Sequence, residues 1–139
     1  MVDWHFVIER LAAARNYWLG TISADGRPHT APIWGVFVED DLYLETSSDT
    51  RKARNLAQRS AVTVHVELGD EAVIVEGDAA EVRPEPPLGV SLARAFAHKY
   101  DGYRPAADAW DDGSLYRVTP RTVFAWRDMP SAARWRFGQ

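Results

Sequence analysis

Three cations, Arg51, Lys52 and Arg54, crowd one turn of a predicted short helix in the run Ser47-Ser48-Asp49-Thr50-Arg51-Lys52-Ala53-Arg54-Asn55. A helix N-terminus already carries partial positive charge, so each cation there is misplaced by roughly 0.3–1 kcal/mol. An anion would reverse that sign. Free backbone N–H groups, the Ser and Thr hydroxyls, Arg51 and Lys52 could all converge on a phosphate. A solvated basic face, partly neutralised by Asp49, is the competing reading. A second feature is Trp34-Gly35 inside a strand that is apolar on both faces. Glycine in a strand interior marks either close approach of a ligand or backbone, or a bulge. A flat aromatic ring could lie along such a surface, and Trp34 could equally fill the core.

Other catalytic signatures are missing from the sequence. It contains no GxSxG elbow, no GxGxxG, no P-loop and no HExxH. His5, His29, His65 and His98 share no metal-ligand spacing, so no metal site is expected. No side-chain nucleophile or catalytic residue is assigned. With no cysteine, thiolate zinc sites, disulfides and Cys nucleophiles are excluded.

The elements that must hold these residues are mostly strands. Asp3 is the expected N-cap of a first helix whose Trp4, Val7, Ile8 and Leu11 share one face. Strands are expected at 17–24, 27–39, 42–46, 61–68 and 72–83, with Asp25-Gly26 turning the first into the second. In 27–39, Trp34, Val36 and Val38 point one way and Ile33 and Phe37 the other, which calls for cover on both sides. Pro28 and Pro32 require an edge or a bulge. Asp49 is the expected cap of the short helix, with Ala53, Leu56 and Ala57 inward. Val62, Val64, Val66 and Leu68 are expected to face inward along one strand. A helix is expected over 88–100, a surface loop over 101–114, and final strands at 115–118 and 121–127, split at Pro120.

The chain has 139 residues with a formal charge of −4. That suits a single domain over 1–139, and the negative balance argues against nucleic acid or an anionic membrane as partner. Glu9, Arg10 and Arg15 interrupt the apolar stretch 6–20, so neither a signal segment nor a membrane span is expected there, and a soluble, cytoplasmic protein is. The fold class is mainly β with small helices: a closed or half-open barrel, with an antiparallel α+β sandwich second. Because a small barrel has one interior, the doubly apolar strand 27–39 predicts a homodimer that covers its second face. Trp135 and Phe137 lie almost at the terminus and are expected to dock on the barrel or across the dimer, with Trp135 near the binding pocket and Arg134 or Arg136 facing the substrate.

Taken in order, YWLGTISADGRPHTAPIWGVFV, LYLETSSDTRKARNLAQRSAVTVHVE, VIVEGDAAEV, YRVTPRTVFAW and ARWRF resemble the pyridoxamine 5′-phosphate oxidase-like proteins, or flavin/deazaflavin oxidoreductases. The DGRPH-x-x-P-x-W…SxxxRKARNL order carries most of the likeness. The resemblance implies a split β-barrel homodimer with FMN, or alternatively the deazaflavin F420, at the subunit interface. It implies that Thr46, Ser47, Ser48, Arg51 and Lys52 bind the phosphate, and that the ring lies along His29, Pro32, Ile33 and Trp34. The implied activity is hydride transfer to or from a small organic substrate. The alternative is a non-catalytic flavin- or tetrapyrrole-binding protein of the same fold, and a third is an interaction module with a vacant site. The ending Arg134-Trp135-Arg136-Phe137 replaces the Arg-Leu-x-Pro type motif of the vitamin B6 oxidases, which argues against conversion of pyridoxamine phosphate to pyridoxal phosphate.

Overall fold

The computed structural model describes residues 1–138. Seven strands, β1 Asn16–Ile22, β2 Pro28–Val38, β3 Asp41–Glu45, β4 Ala61–Val66, β5 Ala72–Glu81, β6 Leu115–Trp126 and β7 Ala133–Arg136, form one antiparallel sheet. Its order is β3-β2-β1-β4-β5-β6-β7, and pairing of β3 with β6, Leu42 opposite Val118 and Leu44 opposite Tyr116, closes six of them into a barrel. Three helices attach to it: α1 Trp4–Ala13, α2 Arg51–Gln58 and α3 Pro86–Lys99. None of the helices among the described residues is long and apolar enough to cross a membrane.

The barrel interior follows the period-2 alternation of its strands. Tyr17 and Leu19, Val62, Val64 and Val66, Val73 and Val75, and Val123 and Ala125 fill it. Leu68 does not join them: β4 ends at Val66, and Leu68 is 62% exposed. Helix α1 starts where its cap predicts, Asp3 Oδ1 accepting from the Phe6 N–H at 3.0 Å, and adds Phe6, Val7 and Leu11 to this core.

Strand β2 is covered on both faces, as its composition requires, but from within one chain. Ile33 faces the barrel core, while Val36, together with Tyr43 of β3, lies under Leu92, Phe96 and Tyr100 of α3 and its C-cap. The premise that a second copy must cover this strand is therefore corrected: α3 does it. Pro28 and Pro32 sit where β2 pairs only with β1, because β3 joins it from Trp34 onward. Gly35 is a packing requirement, since a Cβ there would fall 2.6 Å from the Tyr43 carbonyl oxygen.

Pro120 does not split the last long strand. The β5–β6 register shifts between Glu76 and Gly77, so the ladder steps from Thr122 to Pro120 and continues past it. A bulge absorbs the missing N–H. The tail forms β7 on the outer edge of β6, and Trp135 meets Trp4 edge-on at 5.2 Å while Phe137 lies 5.5 Å from the same ring.

Candidate functional site

A cavity of about 470 Å³ opens where β2, the β3–α2 turn and the 101–114 segment meet. Pro32, Ile33 and Trp34 form one wall, Thr46, Ser47 and Lys52 a second, and Glu45, Tyr103, Asp112 and Ser114 a third.

The polar second wall is built by the start of α2. Its N-cap is Thr50, not Asp49: the Thr50 hydroxyl accepts from the Ala53 N–H at 3.2 Å and meets the Thr46 hydroxyl at 2.9 Å. The physical difference is small, one residue along a run of capping types, but it changes what the cations do. Arg54 is spent on the Asp49 carbonyl at 2.7 Å, and Arg51 is exposed. Lys52 is half-buried and lines the cavity. Ala57, read as inward, is exposed, and Asn55 is buried instead, donating to the Thr21 hydroxyl at 3.0 Å.

The structure thus brings Pro32, Ile33, Trp34, Thr46, Ser47 and Lys52 to one cavity. His29, Ser48 and Arg51 lie outside its lining. His29 is nevertheless close enough to the cations that burial, then Arg51, then Lys52 hold its imidazole below the usual histidine range. Its Nδ1 is out of solvent and has no hydrogen-bond partner among the described residues. Arg134 and Trp135 also lie outside the lining; Trp135 packs on Trp4 and the barrel core instead of near the cavity.

Trp34 is held from behind. Its indole stacks on the Tyr100 ring at 4.0 Å and 10°, with the Arg15 guanidinium 5.2 Å from the Tyr100 centroid. The Tyr100 hydroxyl accepts from the Gly35 N–H at 2.9 Å and lies against the carbonyls of Gly35 and Arg15. The neighbouring Lys99 ammonium donates to the Ala14 carbonyl at 2.6 Å, the Gly35 carbonyl at 2.9 Å and the Tyr17 hydroxyl at 3.0 Å. Burial pushes it down to about 8. The end of α3 is therefore clamped onto the β1–β2 pair just behind the cavity wall.

Glu45, Tyr103, Asp112 and Ser114 were not legible as site residues. The 101–114 segment reads as an acidic surface loop, yet its Trp110 is fully buried and its Tyr103 half-buried. Two large aromatics within a turn-rich acidic run are the signal that this segment packs inward.

A closed antiparallel barrel with α3 outside it and a polar cavity at its rim is the architecture of a split barrel. The family model Pyridoxamine 5′-phosphate oxidase matches residues 6–127, and the chain belongs to that family. No curated protein is significantly similar to it in sequence. Among solved structures, the conserved hypothetical protein Rv2991 from Mycobacterium tuberculosis superposes with a TM-score of 0.76 at 24% identity, over 91% of this chain and 85% of that one. An F420 reductase superposes at 0.64 with 21% identity, over 83% and 93%. HutZ, the haem storage protein from Vibrio cholerae, superposes at 0.65 with 20% identity, over 88% and 90%. At these identities the likeness is one of fold.

Proposed function

We propose that this chain is an oxidoreductase that binds FMN, or alternatively F420, in the cavity and passes a hydride between that cofactor and a small organic molecule. The observation that carries the reading is the meeting of Thr46, Ser47 and Lys52 with the flat wall Pro32–Trp34 in one cavity. Lys52 and the two hydroxyls would hold the phosphate, with His29 and Arg51 adding to it from outside the lining. Pro32, Ile33 and Trp34 would flank the ring, and the ring supplies the hydride chemistry when bound. No protein nucleophile is required. Family membership and the F420 reductase fold support the reading.

The haem storage neighbour supports a second reading, a tetrapyrrole binder without turnover. Against it, the lining has no histidine, cysteine or methionine, and its Tyr103 already donates to Glu45 at 2.6 Å. Titration of the protein with FMN, F420 and haemin, followed by visible spectra, separates the two. Stoichiometric FMN or F420 binding, with reduction by a nicotinamide or deazaflavin donor, is the expected result. Haem binding alone would hand the site to the second reading.

The homodimer belongs to the same proposal, on a different face from the one the sequence indicated. Pro32, Trp18, His65, Ile74 and Phe124 are register neighbours across the outer surface of β2, β1, β4, β5 and β6. Trp18 at its centre is 36% exposed. Pro32 belongs both to this row and to the cavity, so a second copy seated on the row would also close the site. Sedimentation at micromolar concentration is expected to show a dimer, and Trp18→Glu a folded monomer with weakened cofactor binding. A wild-type monomer would end the dimer proposal.

A further inference from the structure

Filling the cavity leaves one charged group without an answer. Glu45 stands opposite Trp34 in the β2–β3 register and lines the cavity with Tyr103, Asp112 and Ser114. Its Oε2 accepts the Tyr103 hydroxyl at 2.6 Å and the Trp110 indole N–H. Both donors are neutral and both use the same oxygen. Among the described residues Oε1 has no partner, and no Lys, Arg or His pairs with this carboxylate. Burial and the bond to Glu45 push the Tyr103 hydroxyl up, so it stays the donor of that bond.

A ligand entering the cavity strips water from Oε1. Desolvating an unmatched carboxylate is unfavourable, so an occupant of this corner must bring positive charge or a strong donor. The aromatic surroundings favour charge. Trp34 is 37% exposed, with one face covered by Tyr100, and its centroid lies 5.9 Å from that of Tyr103. Aromatic faces beside a fixed carboxylate attract a cationic nitrogen through the ring quadrupole and through direct Coulomb attraction. Asp112 on the same wall adds to the negative side, whereas the Lys52 wall is positive. The lining thus carries both signs, its carboxylates on β3 and the 101–114 segment and its ammonium on α2.

We propose that the corner formed by Glu45, Trp34 and Tyr103 is the substrate subsite for a protonated or quaternary nitrogen, so that the preferred substrates are organic cations. This rests on reading the cavity as the cofactor and substrate site, and it names the substrate class of that site.

Calorimetric titration of the wild-type protein with benzylamine, protonated at neutral pH, and with benzyl alcohol, its neutral counterpart, tests it. The amine is expected to bind about tenfold more tightly or better. Glu45→Gln keeps an oxygen for Tyr103 and Trp110, so its melting temperature should hold while the preference for the amine disappears. Equal binding of the two probes to wild type, no binding of either, or a preference that survives Glu45→Gln overturns the proposal. Should Glu45→Gln not fold, Trp34→Leu takes its place: a preference reduced severalfold supports the subsite, an unchanged one overturns it. FMN titration of the same proteins keeps the two readings apart. An amine preference without FMN binding removes the cofactor reading alone, and FMN binding without an amine preference removes the subsite alone.

Discussion

Lys52→Ala is expected to weaken FMN binding about ten- to a hundredfold while the protein stays folded. A hydrogen bond to a charged group contributes roughly 1.5–3 kcal/mol, and each 1.4 kcal/mol is a factor of ten. Lys52 qualifies for that range because it is half-buried in the cavity wall beside Thr46 and Ser47, where screening is reduced. Arg51, equal to Lys52 on sequence grounds, is exposed and outside the lining. Exposed ion pairs contribute about 0–1 kcal/mol, so Arg51→Ala should cost no more than severalfold and lose even that at high salt. Fluorescence titration of both variants at low and high ionic strength gives the comparison. Unchanged affinity in Lys52→Ala would remove the phosphate reading from this turn, and a larger loss in Arg51→Ala than in Lys52→Ala would move the anion outward, toward His29.

What the sequence could tell about this fold was local. The alternation Val62, Val64, Val66 gave β4 its inward face, and Asp3 capped α1, because side-chain period and capping act within a few residues. Errors arose where a distant partner decided. Pro120 looks like a break until Gly77 is seen opposite it, where a Cβ would fall 2.2 Å from the Thr119 carbonyl oxygen, so the bulge depends on both strands at once. The doubly apolar face of β2 was real, but its cover, α3, lies some fifty residues later in the chain. The turn over 46–54 was legible as a candidate anion site for the opposite reason: its cations, hydroxyls and helix start are contiguous. Glu45 and Tyr103 were not, because a single bond joins residues 58 positions apart and neither lies in a motif.

The second large effect is expected at Tyr100, where stability and site geometry should separate. The hydroxyl and the ring do different jobs. The hydroxyl accepts the buried Gly35 N–H at 2.9 Å, taking the place of a strand partner at the point where β1 begins one residue short. Tyr100→Phe removes that acceptor, and with it the hydroxyl donor facing the Gly35 and Arg15 carbonyls, and should cost about 1–3 kcal/mol, the range for leaving buried polar groups unpaired. The ring is fully buried, stacked on Trp34 at 4.0 Å and near Phe96 at 6.0 Å. Tyr100→Ala removes it as well and should cost about 3–5 kcal/mol, as for other large aromatic truncations. Trp34 would then lose the surface that fixes its indole in the cavity wall. Chemical denaturation should therefore rank wild type above Tyr100→Phe above Tyr100→Ala. FMN affinity should hold within a few-fold in Tyr100→Phe and fall about tenfold or more in Tyr100→Ala. Should Tyr100→Ala lose stability yet bind FMN as wild type does, the stack is structural only, and Trp34 is positioned by β2 itself.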